Sequence, residues 1–232
     1  MDHVSLTDLD GVVVLAVDRP PANALDAELL RDLVAAVQRL AVDPSRALVL
    51  RGREGFFSAG ADLKVVPSYG PVEQRRMVEG INAMALGIYG LPCPVVGAVT
   101  GHAIAGGLVL ALCTDLRVAS SAGRYGLTEV KVGVPYPQAA IGIVRAELAP
   151  HAASVLALGN QLVDASECLR LGVFDEIVEP EVVLPRAIEL ARELATYPSS
   201  TYARTKHDLR GHTLERLRAA AADDPLLVQW VG

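Results

Sequence analysis

"PVVGAVTGHAIAGGLVLALC", residues 94–113, lies inside a run from Gly80 to Thr114 that contains no Asp, Glu, Lys or Arg. By length alone such a run could span a bilayer, which takes about 20 apolar residues. Its punctuation argues otherwise. Pro92, Pro94, Gly97, Gly101, Gly106 and Gly107 divide it into a short β-branched strand (94–99), a glycine-rich loop and a helix (107–113). A strand, a loop and a helix without charge describe a core buried on every side, and no membrane partner is expected.

The rest of the chain fits one large α/β domain. It has 232 residues, 51% hydrophobic and 21% charged, enough to bury a sizeable core. A net charge of −6 with scattered Lys and Arg offers no basic field, so nucleic acid is not an expected partner. Cys93, Cys113 and Cys168 are far apart and lack CxxC or His pairing, which predicts reduced core thiols and no metal site. The start, "MDHVSLTDLDG", lacks a basic segment followed by an apolar run, so the expected setting is cytoplasmic.

Outward from the uncharged run, strand and helix patterns alternate. Strands are expected at 11–20, 46–52, 114–120 and 174–178. Asp26 reads as the N-cap of a helix whose apolar stripe is Leu29, Leu30, Leu33, Val34, Val37 and Leu40. A glycine-punctuated loop is expected at 53–64, helices at 72–89 and 164–172, and further helices at about 185–196, 198–210 and 213–222. That pattern predicts a core over 1–184 and a helical C-terminal region over 185–232.

Motifs for other chemistries fail. The stretch 101–108 lacks the lysine and hydroxyl of a phosphate-binding loop and the GxGxxG of a dinucleotide site. Ser58 in "FFSAG" lacks the first glycine of a nucleophile elbow, which leaves a serine-hydrolase reading weak. Two small-residue loops remain, "SAGAD" (58–62) and "AGG" (105–107), each after an expected strand. Their backbone N–H groups can approach a ligand and form a two-donor oxyanion hole, or the glycines can serve only the close packing of helix on strand.

"FFSAGADLK" (56–64), "PVVGAVTGHAIAGGLVLALCTDLRVAS" (94–120), "YGLTEVKVGV" (125–134) and "LVDASECLRLGVFDEIV" (162–178) resemble the consecutive signatures of the crotonase superfamily, the enoyl-CoA hydratases and isomerases. The resemblance runs from about residue 10 to 210. It implies a spiral of ββα units with a C-terminal helical region for oligomerisation, assembling as homotrimers or dimers of trimers. It implies an acyl-CoA thioester substrate from fatty acid metabolism and no separate cofactor, coenzyme A being part of the substrate. By the same resemblance, the N–H groups of Ala61 and Gly106 form the oxyanion hole. Ala22, Ala24, Ala59, Ala61, Asp62, Leu63, Lys64, Gly106, Gly107 and Val109 match the substrate and coenzyme A surface.

One departure bears on the reaction. Hydratases of the family use two glutamates, and here Val109 stands at the first position and Glu129 at the second. A single base moves one proton from C2 to C4, whereas adding water calls on both carboxylates. The chain therefore resembles the Δ3,Δ2-enoyl-CoA isomerases, with Glu129 as the catalytic base. A 2-enoyl-CoA hydratase and an acyl-CoA-binding member with impaired catalysis are the alternatives. Apolar neighbours of Glu129 in sequence predict a raised pKa. "VPYPQAAIG" (134–142) replaces a glycine-rich run of many hydratases, which predicts a reshaped acyl pocket. Asp62 is expected to orient its loop and His102 to be structural. Lys64, Arg204 and Lys206 are candidates for the coenzyme A phosphates, against the plainer reading as solvated surface.

Overall fold

The computed structural model describes residues 3–42 and 47–231. It builds two sheets from one recurring pattern: a strand in a large sheet, a short strand in a small one, then a helix. In chain order these are β1 (Val4–Leu9), β2 (Val12–Val17), α1 (Ala27–Val42), β3 (Ala47–Arg51), β4 (Gly55–Ser58), α2 (Pro71–Tyr89), β5 (Val95–Val99), β6 (Gly101–Ile104), α3 (Gly106–Leu112), β7 (Leu116–Ser120) and β8 (Tyr125–Gly126). The chain continues through α4 (Glu129–Val132), α5 (Gln138–Glu147), α6 (Pro150–Ala153), α7 (Ala165–Arg170), β9 (Glu176–Val178), α8 (Val183–Leu194) and α9 (Ser199–Ala222). The large sheet runs β1-β2-β3-β5-β7-β9 and the small one β4-β6-β8. Apart from the β1–β2 hairpin, every strand pair in them is parallel. This is the expected α/β spiral of ββα units.

Why the strands read as continuous apolar runs follows from burial on both faces. Along β3, Leu48 and Leu50 enter the main core while Ala47 and Val49 enter a second one. That second core is closed by Val183, Ala187 and Ala191 of α8. The boundary expected after residue 184 thus falls in the first turn of α8, a helix that covers the sheet.

Four local expectations are corrected. The segment 53–64 is not wholly loop, nor is 100–106. Each contains a short strand, and β4 and β6 pair in parallel with Gly55 opposite Gly101. A Cβ on Gly101 would lie 2.2 Å from the Gly55 carbonyl oxygen, so glycine here permits strand approach instead of breaking a strand. The tail helices expected at 198–210 and 213–222 are one helix, α9, which runs through Gly211. Lys206 is no surface cation: it is 8% exposed, with Nζ 3.0 Å from the Cys93 carbonyl and 2.8 Å from Asp115 Oδ2. Arg210 also donates to Asp115, at 2.6 Å, and stacks over the Tyr89 ring, so this cluster docks α9 on the sheet. The cap at Asp26 is present, accepting from Leu29 N–H at 2.8 Å. So is that at Asp164, accepting from Glu167 N–H at 2.9 Å. Arg46, first residue of an expected strand, lies outside the described residues.

A buried polar knot fixes the start of α5. Asp224 Oδ2 accepts from Asn82 Nδ2 at 2.9 Å and from Gln138 N–H at 2.8 Å, while Asn82 Oδ1 accepts from Ala139 N–H at 2.9 Å. Asn82→Ala leaves one buried backbone donor and one buried carboxylate short of a partner. It is expected to lower unfolding free energy by about 2–3 kcal/mol, read as a reduced urea midpoint with an unchanged m-value.

Candidate active site

Two loops meet at a cleft between the end of the small sheet and the start of α3. Gly60, at φ +77°, has no room for a side chain: a Cβ would come within 2.9 Å of Gly106 N and of the Ala105 Cβ. Gly107 is equally confined, its Cβ position being 2.1 Å from the Ser58 carbonyl oxygen. Gly106, by contrast, has ordinary contact distances of 3.5 Å or more around its Cβ position. The two glycines therefore divide the roles that the sequence left open: Gly107 packs the helix on β4, and Gly106 presents its backbone to the cleft.

The direction of the two N–H groups follows from peptide planarity, since C=O and N–H of a trans peptide point opposite ways. The Ala105 carbonyl accepts from Leu108 and Val109 N–H inside α3, which turns Gly106 N–H away from the helix. The Gly60 carbonyl accepts from Leu25 N–H at 2.7 Å, which turns Ala61 N–H away from that chain. Among the described residues neither N–H has an acceptor, and Ala61 and Gly106 both line the cleft. Ala105 adopts φ 52°, ψ −128°, a conformation that costs a non-glycine residue about 1–3 kcal/mol. It is held there by its N–H bond to the Gly126 carbonyl, 2.8 Å.

Glu129 opens α4 and faces this cleft, as does Val109 from α3. Glu129 is 6% exposed, and burial pushes its carboxyl up to about 7, offset in part by a hydrogen bond from Tyr136. That bond runs from the Tyr136 hydroxyl to Glu129 Oε2 at 2.6 Å. Burial and the neighbouring carboxylate push the Tyr136 phenol upward, so it stays protonated as a donor. Glu129 supplies the one carboxylate of the lining, and the remaining wall is mostly apolar, including Leu25, Ile81, Ala140 and Trp230. The expected desolvation is present, and of the apolar neighbours in sequence Leu127 and Val134 are buried while Val130 and Val132 are 59% and 46% exposed, with Leu25, Ile81, Ala140 and Trp230 joining from other elements.

Ala59 and Leu63 also line the cleft. Ala22, Ala24, Asp62, Lys64 and Gly107 flank it without entering. Ala22 accepts from Ala59 N–H at 3.0 Å. Ala24 and Asp62 are both bonded by Arg19, which reaches Asp26 as well, a clamp between the two segments. Ser58 is fully buried and its Oγ donates to the Asn23 carbonyl at 2.7 Å, which removes the nucleophile reading. His102 Nδ1 accepts from Arg124 N–H at 2.9 Å, outside the cleft. Sequence reasoning missed Tyr136 and Trp230. The first sat in a segment flagged only for its bulk, and the second carries no local signal, because Gln74 and Pro135 hold it from far along the chain.

The model of the enoyl-CoA hydratase/isomerase family matches residues 8–229. The chain belongs to that family. Within it, the probable enoyl-CoA hydratase EchA17 of Mycobacterium tuberculosis is 33% identical over 202 residues, covering 84% of this chain and 76% of that protein. A solved M. tuberculosis protein named an enoyl-CoA isomerase superposes with a TM-score of 0.88 at 35% identity, covering 95% of this chain and 96% of the other. Human mitochondrial Δ3,Δ2-enoyl-CoA isomerase superposes at 0.89 with 26% identity, covering 97% and 90%. Hydratase and isomerase names thus both occur among the family members similar to this chain.

A carboxyl with a folded pKa of about 7 against an ordinary 4.5 binds its proton more tightly in the folded state. The stabilisation from that proton is complete below pH 4.5 and is lost as pH rises through 7. Glu129→Gln, uncharged throughout, is therefore expected to unfold near the parent's urea midpoint at pH 4.5. It should exceed the parent by up to about 3 kcal/mol at pH 8.

Proposed function

We propose that this family member is a Δ3,Δ2-enoyl-CoA isomerase with Glu129 as its one base. The observation that carries this is that one cleft is lined by a single carboxylate, by Ala61 and Gly106 with their unbonded N–H groups, and by Val109, which the resemblance puts where hydratases carry their first glutamate. The thioester carbonyl of a 3-enoyl-CoA lies between Ala61 N–H and Gly106 N–H. Glu129 removes a C2 proton, and the C–H electrons form a C1–C2 double bond as negative charge moves to the thioester oxygen. The two donors stabilise that oxygen, each worth about 3–4 kcal/mol in comparable sites. On collapse, the electrons form a C2–C3 double bond, the C3–C4 pair takes the proton from Glu129 at C4, and the base is restored. Ala22, Ala24, Ala59, Asp62, Leu63 and Lys64 form the surface along which coenzyme A lies, and no separate cofactor takes part.

Hydration is the second reading, favoured by the hydratase names among relatives. Under either, the chain assembles as trimers or pairs of trimers, using exposed apolar residues such as Leu158 and Leu162. The buried cysteines fit a reducing cytoplasm, and no described helix is long and apolar enough to cross a membrane.

The deciding assay follows a short 3-enoyl-CoA and, separately, a 2-enoyl-CoA in deuterated water by conjugated-thioester absorbance and mass. Conversion of the first without hydration of the second is the expected result, and Glu129→Gln is expected to slow it by about 10²–10⁴. Rapid hydration of the 2-enoyl substrate would replace the isomerase assignment with the hydratase one.

A further inference from the structure

The Glu129 carboxylate meets no cation among the described residues. Among the described residues its one side-chain hydrogen-bond partner is the Tyr136 hydroxyl, and the only titratable groups lining the cleft are these two. We propose that Tyr136 is the positioning residue of the base: its hydroxyl occupies Oε2, favours the charged form of the buried carboxylate over the neutral one, and directs the transferred proton to Oε1. The inference rests on the reading of Glu129 as the base.

The geometry is that of a strong, fixed contact. A 2.6 Å O–H···O separation lies in the range for a hydroxyl bonded to an ionised carboxylate. Tyr136 stands between Pro135 and Pro137, which stiffen its backbone. The Pro135 carbonyl accepts from Trp230 Nε1 at 2.8 Å, and Gln138 N–H is held by Asp224. The donor is thus anchored on both sides before substrate arrives, the condition for preorganisation. A carboxylate gripped at Oε2 receives the C2 proton on Oε1 and returns it to C4 from the same atom. With Val109 facing the cleft, that grip also withholds Oε2 from an attacking water.

The first readout is Glu129 itself, without substrate. The carboxylic C=O infrared band that is lost in Glu129→Gln is titrated in the parent and in Tyr136→Phe. The expected result is a midpoint near 7 in the parent, moved up by about one to two pH units in Tyr136→Phe, the size of a lost bond to a charged acceptor. The acid limb of kcat/KM should move with it while KM changes little. Site-specific replacement of Tyr136 by a difluorotyrosine, a stronger donor of the same shape, should shift the midpoint the other way and serves if the Phe variant does not fold. An unmoved midpoint, or a kcat lowered equally at every pH, overturns the proposal. If the midpoint shifts while Glu129→Gln still isomerises, the pairing stands and the assignment of Glu129 as the base falls.

Discussion

Everything in the cleft depends on how closely β4 and β6 bring their following loops together. Glycine at 101 lets the two short strands approach backbone to backbone, glycine at 107 lets α3 rest on the Ser58 carbonyl, and glycine at 60 lets the first loop touch the second. Where Cβ positions would fall 2.1–2.9 Å from neighbouring atoms, any larger residue must push the elements apart. The outcome of this tightness is two amide donors converging from chain segments more than forty residues apart. Their direction is set by carbonyls already committed to Leu25 and to α3, so both are fixed by the fold itself.

Against those fixed donors stands a carboxylate whose environment is arranged for basicity. Removing water raises its affinity for a proton, and a neutral hydroxyl moderates the effect without the full compensation an arginine would bring. A partly relieved desolvation leaves the group near neutrality, where acceptance and release of a proton are closely balanced. The balance draws on near and distant parts together: Tyr136 and Val134 a few residues along, and Leu25, Ile81 of α2, Ala140 of α5 and Trp230 from elsewhere in the chain.

How much of this was legible in the sequence depended on how local each feature is. The strand and helix alternation, the caps at Asp26 and Asp164 and the two glycine loops are written in neighbouring residues, and these placed the spiral. The strands β4 and β6 escaped because they are four residues each, stabilised by pairing with one another and by glycine contact more than by β-propensity. α9 read as two helices separated at 211–212, yet packing of Leu214 and Leu217 carries the helix through. Lys206 looked like surface because its partners, Cys93 and Asp115, lie about a hundred residues upstream. Glu129 and its isolation opposite Val109 were readable, whereas its hydrogen bond to Tyr136 was not, since a seven-residue separation across a turn fixes no geometry.

Trp230 gives the site an order of assembly. The two glycine loops, Glu129 and Tyr136 all precede residue 140, yet the wall behind Pro135 is set by a side chain ninety-five positions later. During synthesis the sheets and both donors can form while the loop carrying Tyr136 still lacks its brace. The lining of the cleft is thus complete only when the last residues of the fold are in place.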